Sequence, residues 1–320
     1  MAVRWADTIG APRDILVLRA LGLGDLLTSF PALRGLRRAY PDARIVLATP
    51  EPYVCLALLS GAVDEVDATP ELGRLHPRRR PPDLAVNLHG SGPESIADLA
   101  AIRPGALLTH RHDAFPQYAG PPWREDVHDV ARWCGLLEWA GIACDPGDLA
   151  ISRPRGYPDR SGSVVIHPGA SAPARRWPAE RFAAVAAALH RAGERVVITG
   201  SSAELDLARA VAAGAGLPDS AVLAGRLGLM GTVALISDSR LVICGDTGIG
   251  HIATATGTPS VLLFGPTPPA RWGPPGTGPH IVLWAGDQGD PHADRPDRGL
   301  LLITVERVIA ATEGVLKERV

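Results

Sequence analysis

Twice in this chain an apolar run of strand length breaks into a glycine-rich polar elbow and then into a helical pattern. The first elbow is Leu18-Arg19-Ala20-Leu21-Gly22-Leu23-Gly24-Asp25. The second, in the opposite half, is Cys244-Gly245-Asp246-Thr247-Gly248-Ile249-Gly250-His251. A strand that turns straight into a helix offers the amides of the helix N-terminus to an anion. Open parallel sheets bind their ligands at such turns. Each elbow adds a carboxylate. Two of them in separate halves imply two α/β units contributing to one site across a cleft.

The rest of the chain alternates in the same way. In the first half the pattern predicts strands over Ile15–Leu18, Arg44–Thr49 and Leu84–Leu88. Helices are expected over Leu26–Ala39, Pro52–Leu59 and Val127–Gly141, the first kinked at Pro31 for want of an amide. In the second half strands are expected over Val164–His167, Arg195–Thr199, Leu241–Cys244 and Ser260–Phe264. Helices are expected over Ala179–Ala192, Ala203–Ala213 and Gly248–Thr256, with Pro178 at a first helical position. Alternation in both halves predicts an α/β fold of two doubly wound parallel sheets. The Pro/Gly/Arg-rich stretch 152–162 lacks periodicity and reads as the boundary, giving domains 1–155 and 160–320.

Composition removes several function classes. The net charge is -2, so no global field draws the chain to nucleic acid or an anionic membrane. No apolar run reaches the ~18 residues of a membrane span, and the N-terminus reads as a short appendage without a signal core. These features imply a cytoplasmic protein. Cys55, Cys134, Cys144 and Cys244 lack zinc-ligand spacing and read as buried reduced thiols. Lys317 is the only lysine, which excludes a Walker-type phosphate loop and disfavours Schiff-base chemistry. No Gly-x-Ser-x-Gly, His-Glu-x-x-His or Asp-x-Asp motif is present. The basic tract around Arg78–Arg80 reads as a solvated loop, with contact to an anionic acceptor or membrane surface as the lesser alternative.

Four constellations remain. Gly22, Gly24 and Asp25 fall short of a dinucleotide fingerprint because Leu27 stands in the third glycine's place. The glycines bring backbone close to a ligand with Asp25 as a base, or Asp25 only complements the helix dipole; spacing alone favours the second. His167-Pro168-Gly169-Ala170-Ser171 leads to Arg175, a phosphate-binding pattern or a surface turn. Glu204, just after Gly200-Ser201-Ser202, suits ribose hydroxyls or is an ordinary first-turn acid. Asp246, Thr247, Gly248 and His251 form the densest group, with Thr247 as helix cap and His251 either structural or functional. A nicotinamide-dependent oxidoreductase and a non-catalytic nucleotide-sugar binding module are the rival readings.

Taken in order, these motifs resemble glycosyltransferase family 9, the ADP-heptose:lipopolysaccharide heptosyltransferase family. The matching stretches are ILVLRALGLGDLLTSFPAL (15–33), VIHPGASAPARRWP (165–178), VVITGSSAE (196–204) and LVICGDTGIGHIATATGTPSVLLFGPT (241–267). The resemblance implies a GT-B fold and inverting, metal-independent transfer of a sugar, heptose first, from an ADP-sugar. The acceptor would be a hydroxyl of a glycan, glycolipid or small molecule. Asp25 becomes the expected catalytic base. Gly24, Ser171, Arg175, Asp246, Thr247, Gly248 and His251 are expected at the donor and its diphosphate, and Glu204 at the nucleoside. Arg175 stands where the family commonly has lysine. Acceptor choice should lie between Tyr53 and Trp139, and the helix Val305–Lys317 is expected to pack back on the N-terminal domain. No cofactor, no metal and no nucleic acid are expected. A monomer with at most peripheral contact at the inner membrane face completes the expectation.

Overall fold

The structure, a computed structural model, describes Trp5 and residues 9–76, 79–286 and 288–317. Of the basic tract, Pro77 and Arg78 lie outside the described residues, as does most of the N-terminal appendage, and Arg79 and Arg80 are exposed. Contacts divide the chain into Met1–Leu149 and Ala150–Val320. The division falls ahead of the Pro/Gly-rich stretch because that stretch is tied to the second unit. Ile151 donates its amide to the Ala255 carbonyl at 2.8 Å. Arg153 pairs with Asp238 at 2.6 Å.

In the first unit, strands β1 (Asp14–Leu18), β2 (Arg44–Thr49), β3 (Glu65–Ala68), β4 (Leu84–Asn87) and β5 (Ala106–Leu108) form one sheet. Its order is β3-β2-β1-β4-β5 and every pairing is parallel. Helices α1 (Leu23–Thr28), α2 (Phe30–Ala39), α3 (Val54–Leu59), α4 (Glu94–Ala101) and α5 (Asp129–Trp139) accompany it. Central β1 is an unbroken run of Ile15, Leu16, Val17 and Leu18, each fully buried, as a strand covered on both faces requires. The expected kinked helix is two helices. The break falls at Ser29, whose hydroxyl donates to the Leu26 carbonyl at 2.6 Å, and Pro31 sits in the first turn of α2. A proline there has no amide to carry the ladder through and crowds the preceding turn.

The second unit contains β6 (Ser163–His167), α6 (Ala179–Arg191), β7 (Arg195–Ile198), α7 (Leu205–Gly214), α8 (Leu229–Asp238) and β8 (Leu241–Gly245). It continues with α9 (Gly248–Thr256), β9 (Ser260–Leu263), α10 (Pro269–Trp272), β10 (His280–Leu283), α11 (Arg298–Leu301) and α12 (Val305–Lys317). The sheet order is β10-β9-β8-β6-β7, again parallel, and Val222 bridges the outer side of β7 at Ile198. In both sheets the winding reverses beside the first strand, between β1 and β4 and between β6 and β8. Those reversals are where an open α/β sheet takes ligands.

Pro178 is the N-cap of α6, one position earlier than expected. Helix α12, which the resemblance would send back to the first unit, buries Val308, Thr312 and Val315 against α6 and β8–β10 of its own unit. The thiols divide: Cys134 and Cys244 are buried, Cys144 is half-buried and Cys55 is exposed. Ile243, in the middle of β8, has no exposed surface. Ile243→Ala should therefore cost ~2–5 kcal/mol, measured as a fall in the urea midpoint, because a covered parallel strand leaves no room for collapse around the cavity.

Candidate active site

In the second unit, three loops at the carboxyl edge of β6, β7 and β8 carry the expected donor residues. Gly245 leads β8 into Asp246, which is 8% exposed and continues the ladder by donating its amide to the Leu263 carbonyl at 3.1 Å. Thr247 caps α9, its hydroxyl accepting the Ile249 amide at 3.0 Å, and Gly257 ends the helix in the left-handed conformation at φ 66. The helix therefore brings its N-terminal partial charge to this loop. Arg175 arrives from the loop after β6. It donates to the Ser171 hydroxyl, and its Nη1 lies 3.9 Å from Asp246 Oδ2. The Arg175 Nε is buried with no hydrogen-bond partner among the described residues. A buried guanidinium donor without an acceptor is costly, and an anion at this spot would supply one. Arg176 is used differently: its Nε donates to the Ala170 carbonyl at 2.8 Å and shapes the loop.

Glu204 sits over the same loop. One carboxylate oxygen accepts the Ser201 amide at 2.8 Å, and the other lies 2.0 Å from where a Cβ of Gly169 would be. Glycine at 169 is what makes room for the carboxylate. His251 meets the Trp272 ring edge-on at 6.1 Å. A small recess is lined by Asp246, Thr247, His251, Phe264 and Trp272. Ser171, Arg175, Glu204, Asp246, Thr247, Gly248 and His251 thus share one edge of one sheet.

Gly24 and Asp25 belong to the first unit, in the opening turn of α1. Asp25 is 28% exposed. Its Oδ2 accepts the Gly22 amide at 3.1 Å, and its Oδ1 lies 3.4 Å from Arg19 Nη2. Burial raises the Asp25 carboxyl above its ordinary range, Arg19 opposes the rise, and the negative charge of Asp129 adds to it. Tyr53 is raised too, by burial first and then by the Asp25 charge.

Sequence reading passed over Arg19 and Asp129. Arg19 is 1% exposed and spends its guanidinium on the Leu88 carbonyl (2.6 Å), the Asp25 carbonyl (2.8 Å), the Thr28 hydroxyl (3.2 Å) and Asp129 Oδ2 (2.6 Å). It lies over the Trp133 ring at 4.7 Å. An arginine directly after a buried strand was the available signal. Asp129 gave none, because 110 residues separate it from Arg19.

A scan of family models matches residues 145–298 to glycosyltransferase family 9 (heptosyltransferase). The chain is 37% identical to lipopolysaccharide heptosyltransferase 3 of Escherichia coli, over 92% of this chain and 96% of that protein. The chain belongs to glycosyltransferase family 9. Solved structures agree on the fold. A family 9 glycosyl transferase from Veillonella parvula covers 99% of both chains at TM-score 0.80 and 24% identity. The E. coli heptosyltransferase WaaC with ADP-2-deoxy-2-fluoro heptose covers 94% of this chain and 99% of that one at TM-score 0.71 and 18% identity. The dodecameric glycosyltransferase TibC of enterotoxigenic E. coli, which is iron-containing, covers 97% of this chain and 77% of that one at TM-score 0.65 and 16% identity. The family 9 protein is a GT-B glycosyltransferase, which sets aside the oxidoreductase and the non-catalytic module.

Two buried histidines should make the stability of the family 9 protein acid-sensitive. Burial pushes His110 and His167 down to about 4. The unfolded chain takes up protons as pH falls through about 6.5, while the folded imidazoles stay neutral until about 4. Stability should therefore be lost as pH falls across that window, by ~1–2 kcal/mol per histidine at pH ~5. Urea midpoints at neutral and mildly acid pH measure it, and His110→Asn should flatten the dependence.

Proposed function

We propose that this enzyme transfers a heptose from ADP-heptose to a hydroxyl of a lipopolysaccharide-type glycan or glycolipid, with inversion at the anomeric carbon and without a metal ion. The observation that carries the reading is the Arg175 group: an orphaned buried guanidinium donor beside Ser171, Asp246 and a capped helix N-terminus. That combination meets a diphosphate with fixed dipoles and a cation. The heptose and the acceptor class follow from the relatives, one named for lipopolysaccharide and one solved with an ADP-heptose analogue.

In this reading Glu204 accepts hydrogen bonds from the ribose hydroxyls, and Asp246 and His251 hold the donor sugar. Arg175 and the α9 N-terminus stabilise the departing ADP, whose charge grows as the glycosidic bond breaks. Asp25 takes the proton of the acceptor hydroxyl as that oxygen attacks the face opposite the diphosphate. Its raised proton affinity suits a base. Among the described residues no helix is long and apolar enough to cross a membrane.

Arg175→Ala should weaken ADP binding by ~1.5–3 kcal/mol in calorimetry, and Arg175→Lys should recover much of it. Undiminished affinity in Arg175→Ala would shift the phosphate to Arg176 or to backbone amides. Asp25→Asn should leave melting temperature and ADP affinity near wild type and lower turnover by at least ~10². Near-normal turnover would remove Asp25 from the chemistry. EDTA should leave turnover of ADP-heptose unchanged. Because a solved relative is iron-containing, activity lost to EDTA and restored by iron or Mg²⁺ would overturn the metal-free mechanism.

A further inference from the structure

The Arg19 guanidinium is shared unequally between two carboxylates. Its Nη2 reaches Asp129 Oδ2 at 2.6 Å but Asp25 Oδ1 only at 3.4 Å. Arginine and a carboxylate left to themselves form two parallel short bonds. Here the other donors are already placed, Nε on the Asp25 carbonyl and Nη1 on the Leu88 carbonyl. Trp133 lies against the guanidinium face. Asp129 is itself fixed at the N-terminus of α5 and accepts the Thr28 hydroxyl at 2.6 Å. Arg132 stands 3.9 Å from its other oxygen while donating to the Arg124 and Val127 carbonyls.

We propose that Asp129 is a positioning residue for Asp25: by claiming the Arg19 guanidinium it keeps that cation from closing on the Asp25 carboxylate, which stays available to accept a proton. The inference rests on Asp25 being the base. A lone arginine beside a catalytic carboxylate would neutralise it as a base. Without the arginine, two buried carboxylates would face each other and one would stay protonated. The triad of one guanidinium and two carboxylates avoids both outcomes, with Arg132 standing on the far side of Asp129. The charged and titratable groups around Asp25 fit this. Arg19 and Asp129 act in opposite directions on it, and Tyr53 feels its charge. His89, pushed down to about 4 by burial and by Arg19, is neutral where the base works.

The test is the pH dependence of kcat, with ADP-heptose as donor, for the full chain and three variants. Asp25→Asn first fixes whether the acid limb belongs to Asp25. With that limb assigned, Asp129→Asn should move it down by about 1 pH unit or more. The plateau should fall by about tenfold and donor KM should stay within about twofold. Asp129→Glu keeps the charge and should return the limb toward wild type. A folded Asp129→Asn with an unmoved limb, in an enzyme that Asp25→Asn inactivates, overturns the positioning role and leaves the base standing. Full turnover in Asp25→Asn removes the base and the inference with it. Should Asp129→Asn fail to fold, the wild-type limb decides. The proposal requires it above the ordinary aspartate value of ~4, and a limb at or below that value overturns it.

Discussion

Both units depend on one constraint: every strand runs parallel to its neighbours. A parallel pair needs a crossover connection, most often a helix lying on the sheet, so the central strands are covered on both faces and become continuous apolar runs. Polar chemistry is then confined to the strand ends. In the first unit it collects where Arg19 follows β1 and Leu88 follows β4. In the second it collects after β6 and β8. The reversal of winding opens a gap between adjacent loops at those points. Candidate site residues far apart in sequence, such as Arg175 and Asp246, meet because the two strands that carry their loops, β6 and β8, are paired in register.

The same side chain takes two fates at these two edges. Arg19 and Arg175 both follow the first strand of a sheet and both stand near an aspartate. Arg19 has its donors satisfied and its face covered by Trp133, so it can only act on its neighbours. Arg175 keeps one donor buried and unmet beside a helix N-terminus. The difference between the two lies in that single unsatisfied N–H, which makes Arg175 the candidate for a bound anion and which no sequence pattern distinguishes.

The long buried strands and the α9 elbow were legible because their signals are local. Apolar runs mark β1, β2, β6 and β8, and Thr247 before a glycine-rich helix start marks the cap. Strands β3 and β10 escaped because they are no more than partly buried along their length, and β5 because it has three residues, so none shows the buried apolar run that marks the equally short β4, β7 and β9. Helix α8, rich in apolar residues on all sides, offered no amphipathic stripe. For the candidate site, residues next to a glycine turn could be nominated from sequence, whereas Asp129 depended on a partner that only folding brings near. Glu204 was visible as a helix-start acid, but the glycine opposite it could not be paired with it from sequence.

That glycine has a thermodynamic consequence. With one oxygen bonded to the Ser201 amide and the other lying against Gly169, the Glu204 side chain is held in one rotamer before any ligand arrives. A free glutamate gives up ~1.5–2 kcal/mol of rotamer entropy when it is immobilised. Here that loss falls on folding, so in the proposed donor complex a hydroxyl pair would encounter an acceptor already in place. If Glu204 binds the donor as proposed, the missing side chain at 169 would act on affinity through the disorder it removes from its neighbour.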